Sequence, residues 1–266
     1  MDKNQPKKLY HYTSFDTFVK IWLTKKLKFG ETVKVNDICE VSDVVSVDFL
    51  SSALLYAYFY IRDSYKQVSL GMDYSDNIKG YMSPMMWGHY GDKRNGVCIE
   101  FDFEKLNIPD DCIHKAVKYE ESIDLTFEIP EEIQTQRHLK ELIRSKIDTV
   151  FFTKHNSWQG ENEYRVISCE HEYLDITNAI TNVYVTKYDS LECELIEKLV
   201  GELIPIKYVY YYKTEMKTGI VSKMREDKSK QESYDTNGLG RSIKAGKEHF
   251  EKNKFNLDAN LILKGI

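Results

Sequence analysis

Apolar positions along this chain recur at two periods. Residues 8–13, KLYHYT, are short, aromatic and β-prone and predict a strand. Phe15, Phe18, Val19, Trp22, Leu23 and Leu27 then follow the i, i+3, i+4, i+7 spacing of a helix with one apolar face, with Ser14 as its N-cap. After Gly30 the segment ETVKVND alternates and ends in an Asn-Asp turn signal. The run DFLSSALLYAYFYIRDSYKQ is apolar on most sides, which predicts a buried helix, and a weak strand follows at 68–72.

Residues 83–102, SPMMWGHYGDKRNGVCIEFD, are the most legible stretch. Ser83 and Pro84 open a short helix on which Met86, Trp87 and Tyr90 share a face. The turn DKRNG feeds a strand whose Val97, Ile99 and Phe101 alternate with Cys98 and Glu100. Downstream, HLKELIRSKIDTVFFTK predicts one helix and EYRVISC a strand. NVYVTKY and IKYVYYYK predict two more strands, with the helix SLECELIEKLVGEL between them. Strands and helices mix without a regular βαβ repeat, so the expected class is α+β rather than a doubly wound sheet.

A chain of 266 residues with 42% hydrophobic positions can bury a full core. Its richest apolar run, 49–61, is too short for a bilayer and no secretory signal opens the sequence, so a cytoplasmic protein without a membrane segment is expected. Cys39, Cys98, Cys112, Cys169 and Cys193 form no CxxC pair and leave one over, which argues against a disulfide framework or a zinc cluster. The net charge of −5 is uneven. Residues 222–266 hold ten Lys/Arg against seven Asp/Glu, a surplus of three; the remaining 27 bases and 35 acids leave residues 1–221 at −8. The expected organisation is a domain over 1–221 and a mildly basic extension over 222–266, partly helical or disordered. An acidic body does not hold nucleic acid by bulk attraction. A nucleic-acid-directed role would fall to Lys223, Arg225, Lys228, Lys230, Arg241, Lys244 and Lys247 of the extension, against the plainer reading of a solvated tail.

Two motifs fail. GLGRSIKAGKE has five residues between Gly240 and Gly246 and lacks the Ser/Thr of a phosphate loop. CEHEY, at 169–173, lacks the second ligand pair of a zinc helix, and a charged edge is expected there, with no metal. Three segments stand out together: YHYTS at 10–14, the block at 85–102, and KHNSWQGENEYRVIS at 154–168. Taken singly each has a bland reading: His11 as a core histidine, Tyr90 as core beside Met86 and Trp87, Glu161 and Glu163 as surface carboxylates.

The initial YHYTS, the VND turn at 35–37, the MWGHYGDKRNGVCIEFD block and the W-x-x-E-x-E-x-R pattern of Trp158, Glu161, Glu163 and Arg165 resemble, over about residues 8–215, a bacterial family known as domain of unknown function 2971. That family in turn resembles the His-Tyr-Glu branch of the ADP-ribosyltransferase superfamily: HYT parallels its His-x-Thr strand, Tyr90 with GVCIEF its helix tyrosine ahead of a core strand, and NEYRVI its glutamate strand. The resemblance implies a split mixed sheet with surrounding helices and NAD as co-substrate. It also implies ADP-ribose transfer to a macromolecular acceptor or to water, as in toxins or phage-defence effectors, with an inhibitory partner as one way of silencing them. Glu163 would stabilise the developing ribose cation, and Tyr90, with Tyr81 or Trp87, would wall the nicotinamide. His11 and Thr13 would meet a ribose hydroxyl or carboxamide. Glu161 would contact the acceptor. Arg165 stays open between keeping Glu163 ionised, binding phosphate and merely anchoring its strand. The alternative from another class is a module that binds NAD or another nucleotide without cleaving it.

Overall fold

The computed structural model describes residues 5–32, 52–121, 135–187, 191–201, 203–212 and 217–222, all within one compact unit, Met1–Lys223. The VND turn at 35–37 and the bases expected to guide nucleic acid lie outside the described residues.

The first strand, β1 (Lys8–Thr13), and helix α1 (Phe15–Thr24) follow the predicted periods. Ser14 Oγ accepts the Thr17 backbone N–H at 3.4 Å, capping the helix as expected. The helix ends sooner than its apolar spacing suggests, because Lys25 turns left-handed at φ 54°. Leu27 is therefore buried from a short strand, β2 (Lys26–Lys28), and Leu23 faces solvent. A two-residue strand, β3 (Gly30–Glu31), follows.

Helix α2 (Ser52–Asp63) is not buried all round: Tyr56 and Tyr60 are 72% and 62% exposed, while Ile61 and Arg62 are covered. The strand expected to be weak, β4 (Lys66–Met72), is instead interior to the sheet. Helix α3 (Pro84–His89) starts as predicted, with Ser83 Oγ accepting the Met86 N–H at 3.3 Å. A turn through left-handed Asp92, Lys93 and Arg94 leads to β5 (Val97–Asp102), which is covered on both faces. Val97, Ile99 and Phe101 join the main core with Phe18 and Trp22, whereas Cys98 enters an aromatic cluster with Tyr12, Tyr81, Trp87 and Tyr184.

The chain continues through β6 (Ile113–Ala116) and β7 (Lys118–Glu120). The helix predicted as one over 138–154 is broken: α4 (Gln136–Ser145) and α5 (Ile147–Phe151) meet at Lys146, which leaves helical geometry at φ −109°, ψ 13°, and the segment ends in a strand, β8 (Thr153–His155). Strands β9 (Glu163–Ser168), β10 (Tyr173–Asp175) and β11 (Ile180–Val185), helix α6 (Leu191–Val200), and strands β12 (Ile206–Tyr212) and β13 (Lys217–Ser222) complete the described order.

Among the described residues one mixed sheet runs β13-β12-β11-β5-β1-β4-β9-β6, with β3 on β4. Only β11 and β12, joined through α6, are parallel within it. Two short pairs, β2 with β10 and β7 with β8, flank it. The class is α+β, as the sequence predicts. No described helix is long and apolar enough to cross a membrane.

The decisive feature lies at the centre. β1 is laddered to β5 from Lys8↔Asp102 to Thr13↔Val97, and β4 to β9 from Lys66↔Ser168 to Gly71↔Glu163. Between β1 and β4 the register holds only Leu9↔Met72 and Tyr10↔Gly71. Beyond that point the two strands part, each held by its outer neighbour, and the sheet opens.

Gly96 fixes the approach of β5 to β1. A Cβ there would lie 2.1 Å from the Thr13 carbonyl oxygen and 3.0 Å from the Gly91 carbonyl, both backbone atoms that yield only at a cost. Gly96→Ala is expected to destabilise the fold by about 1–3 kcal/mol in urea titration. Gly88→Ala, on α3 with nothing within 4 Å, should leave the midpoint level or slightly raised. Equal midpoints for the two variants would contradict this packing.

Candidate active site

The parting of β1 and β4 encloses a cavity of about 300 Å³. His11 from β1, Tyr90 at the end of α3, Lys154 from β8, Glu161 from the turn before β9 and Glu163 at the start of β9 line it, with residues 67–71 of β4 as one wall. Lys28, Gly30, Gln67 and Ser69 also line a neighbouring trough that reaches Lys66.

Glu161 does not reach the cavity by strand alternation. It ends a 3₁₀ turn, Asn156–Glu161, and Asn162 then reverses the backbone in the left-handed region at φ 46°. The Asn162 amide donates to the carbonyls of Met72 (3.3 Å) and Asp73 (3.0 Å), tying this turn to the end of β4. Glu163 opens β9, and its N–H donates to the Tyr119 hydroxyl at 2.9 Å. Glu163 and Arg165, two apart on the strand, share a face.

A chain of buried charges follows. Arg165, 1% exposed, donates from Nε to Glu163 Oε1 at 2.7 Å and from Nη2 to Oε2 at 2.9 Å, a bidentate pair. Its Nη1 donates to the Phe151 carbonyl at 2.6 Å. Lys154 Nζ lies 2.9 Å from Glu163 Oε2 and donates to Glu161 Oε2 at 2.7 Å. The Tyr90 hydroxyl donates to the other Glu161 oxygen. Trp158 sits with its ring 5.7 Å from Lys154 Nζ. The spacing W-x-x-E-x-E-x-R thus acquires a physical reason: its Trp and both Glu border one buried ammonium, and its Arg braces the second Glu from behind.

Burial pushes the Glu163 carboxyl up, but the charges of Arg165 and Lys154, with hydrogen bonds from Arg165 and Ser69, outweigh it and hold the group well below the usual carboxylate range. Burial lowers the His11 pKa, offset in part by a hydrogen bond with the Ser69 backbone, so the imidazole is chiefly neutral at pH 7. Ser69 thereby touches His11 through its backbone and Glu163 through its hydroxyl.

Of the residues singled out in the sequence, His11, Tyr90, Glu161 and Glu163 come together at the cavity. The others do not line it. Arg165 lies behind Glu163 and serves as its ion-pair partner. Thr13 is buried farther along β1. Trp87 is fully buried, with its indole N–H on the Tyr81 carbonyl at 2.8 Å and its ring edge-on to Tyr12 at 5.1 Å. Tyr81 stacks on Tyr184 at 4.0 Å and 13°. Both belong to the aromatic core behind the cavity. Lys154, Ser69 and Tyr119 are contributions that the sequence reading passed over. For Lys154 a signal existed, since two carboxylates buried together demand a cation, and this one stands seven residues before Glu161.

Residues 86–166 match the family model described as "Protein of unknown function (DUF2971)". The resemblance expected from the sequence is thus found over the stretch that carries Tyr90, Lys154, Glu161, Glu163 and Arg165. No curated protein matches the chain. Among solved structures it is similar to Thermus sp. 2.9 DarT in complex with ADP-ribosylated ssDNA, at 10% identity over 76% of this chain and 92% of that one, with a TM-score of 0.32. So low a score lends the site no weight, and the site stands on its own geometry.

Two outcomes follow from the charge chain. Arg165→Met strands a buried carboxylate and should cost about 3–5 kcal/mol in chemical denaturation, and adding Glu163→Gln should restore part of that loss. Because the Glu163 pKa is held below its unfolded value, the unfolded chain binds more protons in acid. The stabilisation is therefore complete above pH about 4.3 and is lost as pH falls below it. Lys154→Met should raise the acid-unfolding midpoint, whereas Arg137→Met, at the exposed pair with Glu141, should leave it in place. Equal shifts would refute the assignment.

Proposed function

We propose that the chain is an NAD-dependent ADP-ribosyltransferase that moves ADP-ribose from NAD to a macromolecular acceptor or to water. The observation that carries this reading is the convergence of His11, Tyr90, Glu161 and Glu163 on one cavity opened between β1 and β4. Its volume lies at the small end of ligand pockets, roughly 300–1,000 Å³. The cavity suits the nicotinamide riboside half, and the adjoining trough, with Lys28 at the junction, would take the diphosphate; Lys66 beyond is paired with Glu172.

The chemistry asks for charge where this site has it. As the bond from ribose C1′ to the nicotinamide nitrogen breaks, its electron pair leaves with nicotinamide and positive charge builds on the ribose. Glu163, kept anionic, opposes that charge. The cavity lining includes Glu163 but not Arg165, so the pair presents its carboxylate inward. Tyr90 offers a ring wall, and neutral His11, its one N–H given to the Ser69 backbone, can accept a hydrogen bond from a ribose hydroxyl at its other ring nitrogen. Glu161 would take the proton of the incoming acceptor as its oxygen or nitrogen bonds to C1′. We place this reaction within residues 1–221, in a cytoplasmic protein. A toxin or phage-defence effector, restrained by an inhibitory partner, fits an enzyme of this class.

One observation favours a second reading, a module that binds the nucleotide without cleaving it. All four carboxylate oxygens are already engaged: those of Glu163 by Arg165 and Lys154, those of Glu161 by Tyr90 and Lys154.

Wild-type protein is expected to release nicotinamide from NAD, and Glu161→Gln and Glu163→Gln each to reduce the rate about a hundredfold or more. Glu163→Gln should also lower the thermal midpoint, because Arg165 loses its anionic partner, while Glu161→Gln should change it less. NAD that raises the midpoint with no nicotinamide released, even with cell lysate as acceptor, would select the binding module. Neither release nor stabilisation would end both readings.

A further inference from the structure

A second group of chemically competent side chains lies away from the cleft, at the edge of the sheet. Asp111, Cys112 and His171 bring one carboxylate oxygen, one thiol sulfur and one ring nitrogen within 4.8 Å of one another. His171 Nε2 already stands 2.9 and 3.1 Å from the two Asp111 oxygens. None of the three residues lines the cavity between β1 and β4.

Two chain segments 60 residues apart are brought together by strand pairing rather than by chance approach of loops. β6 is antiparallel to β9, with Ile113 opposite Ile167. The residues just before β6 and just after β9 are therefore neighbours, and these are Asp111 and Cys112 on one side and 169–171 on the other. Each segment is set by its own turn. The Cys112 N–H donates to the Pro109 carbonyl at 3.0 Å. Ser168 Oγ accepts from the N–H groups of both Glu170 (3.1 Å) and His171 (3.0 Å), folding the chain so that the imidazole returns toward Asp111.

The donor set decides the ion. Calcium and magnesium take oxygen ligands, whereas a thiolate, an imidazole and a carboxylate together suit zinc. Zinc bonds of about 2.0–2.3 Å put the ligand atoms of a tetrahedron roughly 3–4 Å apart, so side-chain shifts of an ångström or less close the site. We propose that Asp111, Cys112 and His171 bind one zinc ion, through the Cys112 thiolate, a His171 ring nitrogen and an Asp111 carboxylate oxygen, with water as the fourth ligand. The ion clips β6, the edge strand of the sheet, to the end of β9, the strand that begins with Glu163. It revises the expectation of a metal-free charged edge at 169–173.

The test uses the full chain, stripped with chelator, supplied with zinc and dialysed, with bound metal counted by elemental analysis and cobalt(II) as a spectroscopic stand-in. Wild type is expected to keep one equivalent of zinc, and its cobalt form to show a thiolate-to-cobalt charge-transfer band. Cys112→Ser should abolish that band. Cys112 is buried and its replacement can disturb folding, so His171→Gln and Asp111→Asn, both at partly exposed positions, supply the independent variants. Each should lose the retained zinc with an unchanged circular dichroism spectrum. Cys193→Ser, at a thiol paired with the Tyr208 hydroxyl elsewhere in the fold, should keep it. No zinc retained by wild type, or the same equivalent retained by His171→Gln and Cys112→Ser, would overturn the proposal. Neither result touches the NAD reading, which is measured at other residues.

Discussion

The architecture depends on where the hydrogen-bond ladder at the middle of the sheet stops. β1 is laddered along its length to β5 on one edge and β4 to β9 on one edge, yet on their facing edges the two strands share only Leu9↔Met72 and Tyr10↔Gly71. Twist accumulates across strands, and here the two halves of the sheet are joined only at that short contact. β3 meets β4 at Lys66 and Gln67, toward the far end of the opening. A gap in an otherwise laddered sheet exposes strand edges that are normally a liability. In this protein the gap is lined by side chains from both halves, and the His11 imidazole reaches across to the Ser69 backbone.

The second constraint is electrostatic. Two carboxylates and two cations lie buried within one strand and its neighbours, and such groups seldom stabilise a fold as well as apolar residues of the same size would. Their retention is easier to understand if the anions are used. Burial of a carboxylate does not by itself mark a site. Glu100 is as well covered as Glu161, and its oxygens accept from Thr181 Oγ1, Asn182 Nδ2 and the Tyr184 hydroxyl at 2.6–2.7 Å, yet it does not line the cleft. Access separates the two cases: Glu100 is a satisfied interior acceptor, while Glu161 and Glu163 border open volume.

What the sequence disclosed followed from local rules. β1, the start of α1, the Ser83-capped helix, β5 and β9 were legible because each has a single period and a recognisable beginning. The break at Lys146 and the left-handed stop at Lys25 were not, since both residues are compatible with a helix until tertiary packing chooses otherwise. The exposed Tyr56 and Tyr60 misled for a related reason: aromatic content signals burial only on average. At the site, His11, Tyr90, Glu161 and Glu163 could be named from their motifs. Trp87 and Tyr81 could not be told apart from cavity walls, because whether a ring faces a cleft or a core depends on which strands part. Asp111 and Cys112 were invisible as partners of His171 for the same reason, their proximity being a property of the β6–β9 register.

The engaged state of the carboxylates bears on how such a cleft could work. Lys154 touches both Glu161 and Glu163, so any ligand group that draws one carboxylate away alters the field at the other. A ligand bearing a delocalised positive charge, as nicotinamide does in NAD, competes with Lys154 for the same oxygens without needing a hydrogen bond from them. In the proposed reaction that charge shifts to the ribose as the glycosidic bond weakens and the attraction follows it, with Glu163 held in place by its bidentate pair with Arg165. A neutral base or sugar would gain nothing from displacing the ammonium. Under the proposed reading, the arrangement discriminates by charge as well as by shape, which ties the buried ion pairs to selectivity for a donor with a cationic ring rather than to stability alone.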